Sequence, residues 1–176
     1  MRRQSLAICQ PLVTEDYVIQ PMEDASPPKW HLAHVTWFFE TFLLKPYHPD
    51  YVPFDENFEV LFNSYYNGVG EPFPRPERGR LSRPTVATIM EYRSHVDGAM
   101  QVLLEREMND EVRFRIVLGL NHEQQHQELL FTDLKYNLGN NPLYPAYLEQ
   151  APEPAGSTDF EFEEFGGGVY EIGASA

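Results

Sequence analysis

The sequence predicts an all-α fold, a helical bundle interrupted by one long loop rich in proline and aromatic residues. Three observations lead there. Apolar residues recur at helical spacing through Val86, Ile89, Met90, Val96, Met100, Leu103 and Leu104. A second periodic stretch runs from about Glu111 to Leu138 and stops at Gly139, Asn140, Asn141 and Pro142. No strand pattern precedes it.

Each element follows from its punctuation. Residues 1–12 are long enough for one short helix or a frayed end. Ser26-Pro27-Pro28 reads as a helix start, with Ser26 as the cap and proline in the first turn, where its missing N–H costs nothing. That helix carries Trp30, His31, His34, Phe38 and Phe42 and should stop before Pro46. From Pro46 to Pro84 the helical pattern breaks. So long a loop in a compact domain is usually functional, and its aromatic residues predict that it packs, with a short helix near 57–65. Thr85 opens the next long helix, and Asn109-Asp110 reads as a stop followed by a new cap. The short connection makes these two helices antiparallel. A fourth bundle helix has to come from the first dozen residues. Residues 1–145 therefore read as one helical domain. Residues 151–157 read as a linker, residues 160–163 alternate like a strand, and residues 166–173 read as the opening of a second unit.

Composition narrows the function. The chain has 176 residues, 42% hydrophobic and 14% aromatic, enough for a core. The net charge of −14 repels nucleic-acid phosphates and anionic lipid, so neither is expected as a partner. No apolar run has the length of a signal-peptide core or a membrane span, which makes the cytoplasm the default expectation. The single cysteine, Cys9, permits neither an internal disulfide nor a thiolate zinc site. A metal site must use His, Asp or Glu.

Histidines His122 and His126 are four apart on a helix and share a face, so both imidazoles can reach one ion. A third ligand has to come from elsewhere, and the segment containing His31 and His34 offers one. Spacing alone leaves zinc and iron both open, and it leaves metal binding about as well supported as a pair of satisfied core histidines. The same residues also spell His122-Glu123-x-x-His126, a zinc-protease pattern in which Glu123 would be the general base. Leu129 stands where the extended pattern has glycine, and no third histidine follows at the expected spacing.

Four stretches in order resemble the hercynylcysteine sulfoxide synthases, the iron enzymes of ergothioneine biosynthesis: SPPKWHLAHVTWFFETF at 26–42, FNSYYNGVG at 62–70, PRPERGRLSRPT at 74–85 and GLNHEQQHQEL at 119–129. The related ovothiol-forming enzymes share the architecture. The resemblance implies a DinB-like four-helix bundle joined to a domain like that of formylglycine-generating enzymes, which would begin in residues 146–176 and lie mostly beyond this chain. It implies iron(II) held by His34, His122 and His126, with His31 supporting them. It also implies substrate contacts from Gln125, Arg75 and Arg78, the arginines binding a carboxylate. Composition alone would place both arginines on a solvated loop. The implied small-molecule partners are hercynine, a thiol (γ-glutamylcysteine or cysteine) and O2. The implied second domain carries the rest of the pocket, so the expectation for this chain by itself is iron binding without turnover. A DinB-like thiol transferase using zinc or nickel, or a bundle that only stores or senses metal, is the alternative.

Overall fold

The computed structural model describes residues 1–150, 156 and 161–173. Among these, the helices are α1 (Arg2–Cys9), α2 (Pro28–Phe39), α3 (Lys45–Tyr47), α4 (Phe58–Leu61), α5 (Val86–Leu104) and α6 (Asp110–Gly139), with no strands. The all-α prediction holds.

Helix α2 is the centre of the molecule. All of its residues from Pro28 to Phe39 are buried, and it packs on both α5 and α6. A helix apolar on nearly every side belongs in a core. Its few polar side chains must therefore find partners inside. Thr36 back-bonds to the Leu32 carbonyl at 2.7 Å. Lys29 donates to the carbonyls of Leu81 (2.5 Å) and Pro84 (2.9 Å), tying the long loop to the start of α2.

Both ends of α2 depart from the sequence expectation. Ser26 does not cap it: the cap position is Pro27, and the Ser26 side chain is occupied elsewhere. Nor does the helix stop before Pro46. It widens into a π turn over Glu40–Leu44 and then resumes as α3, with Pro46 in the first turn where no N–H is needed. The π turn starts at Glu40, whose buried carboxylate accepts hydrogen bonds from the hydroxyls of Tyr51 (2.5 Å) and Tyr92 (2.6 Å) and the N–H of Phe54 (3.3 Å). The carboxylate thus anchors the returning loop to α5.

The expected caps on the long helices are present. Thr85 Oγ accepts from the Thr88 N–H at 3.1 Å, and Asn109 Oδ1 from the Val112 N–H at 2.9 Å. Residues 105–109 connect α5 to α6. The loop between α3 and α5 contains α4 and a 3₁₀ segment, Arg75–Arg80, that the sequence did not announce. A second unannounced 3₁₀ segment, Thr14–Val18, links α1 to α2.

Helix α1 supplies the short fourth element and packs on α6. Gly119 permits a close approach of α6 to α2. A Cβ there would lie 2.9 Å from Phe39 and 3.0 Å from Phe38 ring atoms, both on buried side chains. The one glycine therefore sets how near α6 comes to α2. Of the expected linker, only residue 156 lies within the described residues. Residues 161–163 have no strand pairing, and Phe160 lies outside the described residues. Residues 166–173 form no helix or strand and are exposed.

Candidate metal centre

Helix α6 presents His122 and His126 one turn apart, and α2 presents His34 opposite them. One ring nitrogen from each lies within 4.8 Å of the others, a group of donors able to hold one metal ion. Of the two histidines that α2 offered, His34 joins the group. His31 lies behind it.

Each ring is oriented by something specific. His34 lies between two indoles, stacked on Trp30 (centroids 4.5 Å apart) and on Trp37 (5.5 Å). Its Nδ1 meets the Phe62 carbonyl at 2.6 Å and must donate to it, which leaves Nε2 as the free lone pair. His126 Nδ1 lies 2.8 Å from His31 Nδ1, and His31 Nε2 lies 2.8 Å from Asp133 Oδ2. His122 Nδ1 is buried and has no hydrogen-bond partner among the described residues. All four imidazoles are held in the neutral form. Burial is the main cause, and it lowers the pKa of His122 to about 4. His31, His34 and His126 also lie below the ordinary range, the last two pushed further by neighbouring histidines. Neutral imidazole is the form that ligates a metal.

Above the donors is a cavity of about 510 Å³, lined in part by Trp30, Tyr65, Arg75, Arg78, Gln125 and the three histidines. The sequence-predicted site residues are therefore brought together. Arg75 is half-buried, and its guanidinium binds the Asp24 carbonyl (2.7 Å) and the Tyr65 hydroxyl (3.2 Å). Gln125 is an exposed residue of the lining.

Composition alone would have put Arg78 on a solvated face, but it is only 4% exposed. Its guanidinium carbon lies 3.3 Å above the Trp30 ring. Its nitrogens donate to Ser26 Oγ (2.8 Å) and Ser64 Oγ (3.0 Å), while Nε has no partner among the described residues. Burial and the nearby Arg75 lower its pKa to about 9, so it stays cationic at neutral pH. Trp30 Nε1 is likewise buried and without a partner among the described residues. Two unpaired donors, Trp30 Nε1 and Arg78 Nε, thus belong to side chains that line the same cavity as the histidines. Buried donors without acceptors are costly, and a ligand with acceptor atoms would relieve them.

The protease reading fails on geometry. Glu123 is fully buried. Its carboxylate accepts from Arg93 (2.5 Å), Ser5 (2.7 Å) and Arg2 (3.1 Å). A carboxylate so occupied by three donors is not available as a base to a metal-bound water.

Residues 1–130 match the DinB superfamily, and the chain belongs to that superfamily. Its members are often metal-dependent enzymes. No curated protein matches the chain. Among the described residues, no helix is long and apolar enough to cross a membrane.

Sequence reasoning did not reach Asp133, Ser26 or Ser64 as parts of this site. Asp133 lies seven residues after His126, two turns along the same face of α6, and that periodicity was a usable signal. The serines carried none beyond their place in the quoted stretches.

Proposed function

We propose that this chain is the iron-holding part of a sulfoxide synthase that joins a thiol to the imidazole of hercynine. The observation that carries the reading is the shared cavity: three neutral imidazoles at its floor, with Arg75, Arg78 and Gln125 on its walls. Three of the four sequence stretches that resemble the family supply all of these residues, and the remaining one, 62–70, adds Tyr65 and Tyr66 to the cavity wall.

The donor set suits the ion. Three imidazoles without thiolate or carboxylate leave coordination positions free for substrate and oxygen. His34, His122 and His126 would hold iron(II). When bound, the ion supplies Lewis acidity toward the thiol sulfur and a route for electrons to oxygen. The chain's own residues bind and orient. Arg78 is pre-aimed by two serine hydroxyls and by Trp30, and with Arg75 it suits a substrate carboxylate. Gln125 can donate to or accept from the hercynine imidazole. Holding both substrates over one ion supplies the positioning part of the rate enhancement.

The overall reaction balances. The imidazole loses C–H and the thiol loses S–H as the carbon–sulfur bond forms. One oxygen atom of O2 becomes the sulfoxide and the other leaves as water with both hydrogens. The acidic and aromatic groups of a second domain complete the pocket in this reading.

Anaerobic iron(II) loading followed by hercynine, γ-glutamylcysteine and O2 tests the proposal, with metal analysis and mass spectrometry as readouts. Iron bound in a one-to-one ratio and lost on His34→Ala, with sulfoxide formed once the second domain is supplied, is the expected result. Zinc or nickel in the purified protein, together with oxygen-independent thiol transfer, would overturn it in favour of the thiol-transferase reading.

A further inference from the structure

Behind the three donors lies a chain of polar groups with a fixed direction. Asp133 Oδ2 receives the backbone N–H of Ser26 at 2.9 Å and lies 2.8 Å from His31 Nε2. A carboxylate only accepts, so His31 Nε2 carries the proton. Of two ring nitrogens that face each other one donates and the other accepts, and an imidazole with its single proton on Nε2 accepts at Nδ1. Among the described residues, the group that His31 meets there is His126 Nδ1, at 2.8 Å. His126 therefore has its proton on Nδ1 and its lone pair on Nε2.

We infer that Asp133 and His31 are positioning residues that lock His126 in the Nδ1–H tautomer, so that its Nε2 lone pair is aimed at the metal. The inference rests on the reading of His34, His122 and His126 as the donor set. It differs from the usual arrangement in which a metal-ligating imidazole donates straight to a carboxylate or carbonyl. Here a second imidazole stands between them. His34 shows the simpler form in the same site, donating directly to the Phe62 carbonyl.

Burial explains why the longer chain holds. His31 is 2% exposed, His126 8% and Asp133 6%, so water competes poorly for these hydrogen bonds. The same carboxylate also reaches the cavity wall. Ser26, held by Asp133 through its N–H, accepts from Arg78 through its hydroxyl. One side chain on α6 thus positions both a metal donor and the buried arginine.

The test uses the whole chain labelled with ¹⁵N-histidine. In the metal-free wild type, long-range ¹H–¹⁵N spectra should show His126 as a single Nδ1–H tautomer and His31 as Nε2–H. His31→Ala should leave His126 as a tautomer mixture and weaken zinc(II) binding, read by competition with a chromophoric chelator, by about 10- to 100-fold. Asp133→Asn keeps the shape and an acceptor oxygen, so it should weaken zinc(II) binding less than His31→Ala while loosening the tautomer preference. His126 found as Nε2–H in the wild type would overturn the inference whether or not any variant folds. So would wild-type zinc(II) affinity in a folded His31→Ala. Failure of zinc(II) to bind the wild type at all, with the tautomers as described, would instead count against the donor-set reading.

Discussion

His122 and Glu123 are neighbours on α6 and belong to two buried polar clusters of opposite design. On one side, His31, His34, His122 and His126 are neutral, and the cavity they line retains unpaired donors at Trp30 and Arg78. On the other side, every oxygen of Glu123 is engaged. Arg93 and Ser5 share one oxygen, and Arg2 takes the other. Arg2 continues to Asp97 at 2.6 Å and to Thr36 at 3.1 Å, so the cluster joins α1, α2, α5 and α6. The contrast separates two uses of buried polarity. A closed network holds helices in register. An open set of neutral donors stores binding capacity for something that is not protein.

The strongest way to break this comparison is Glu123→Ala. It strands Arg93, itself 2% exposed, and loosens Arg2, so a loss of about 3–5 kcal/mol is expected in urea unfolding. Zinc(II) affinity of the molecules that remain folded should change little. A large loss of affinity would mean that the two clusters are not independent.

The reciprocal change is His122→Ala. Metal affinity should fall at least about 100-fold, beyond what loss of an outer partner gives. Metal-free thermal stability should move by only a few degrees, since the side chain removed has no hydrogen-bond partner at Nδ1 among the described residues.

Gly119→Ala should act on both properties through packing. The added methyl meets Phe38 and Phe39, with an expected cost of about 1–2 kcal/mol after the gain in helix propensity. Metal binding should weaken too, because α6 is pushed from α2. An unchanged affinity would show that the donors tolerate a shift of the helix.

The smallest effect expected is a separation in pH. A histidine whose folded pKa is depressed contributes stability above its unfolded pKa and loses it as pH falls. For His122 that window runs from about 6.5 down to about 4. Burial raises the Glu123 pKa, but Arg2 and Arg93 outweigh it and hold the carboxyl below its ordinary value of 4.5. Its contribution is therefore lost only below that value. The melting temperature of the metal-free chain should be level above about pH 7 and decline from pH 6.5 downward. In His122→Ala that first decline should shrink. A decline that begins only below pH 4.5 would show that the imidazoles are not held neutral.

The helical class was legible because periodicity and caps are local. Thr85 and Asn109 cap as their positions imply, and α5 and α6 follow the spacing of their apolar residues. The errors at α2 are also instructive. Ser26 before two prolines has the chemistry of a cap, yet a buried arginine claims its hydroxyl. Pro46 should end a helix, yet a π turn reset the hydrogen-bond register before it. Both outcomes depend on residues far away in sequence.

By itself, the sequence determined that His122 and His126 share one face of a helix, because four residues make about one turn. It also determined that no thiolate can join them, because Cys9 is alone. Spacing left open which histidine of α2 faces them; the family resemblance pointed to His34, and the tertiary structure puts His34 with the pair and His31 behind His126. It also turned Glu123 toward Arg2 and Arg93, although its spacing suits a catalytic base equally well. The physical reason is that periodicity assigns a side chain to a direction around its own helix. What lies in that direction depends on the packing of α1, α2 and α5 against α6.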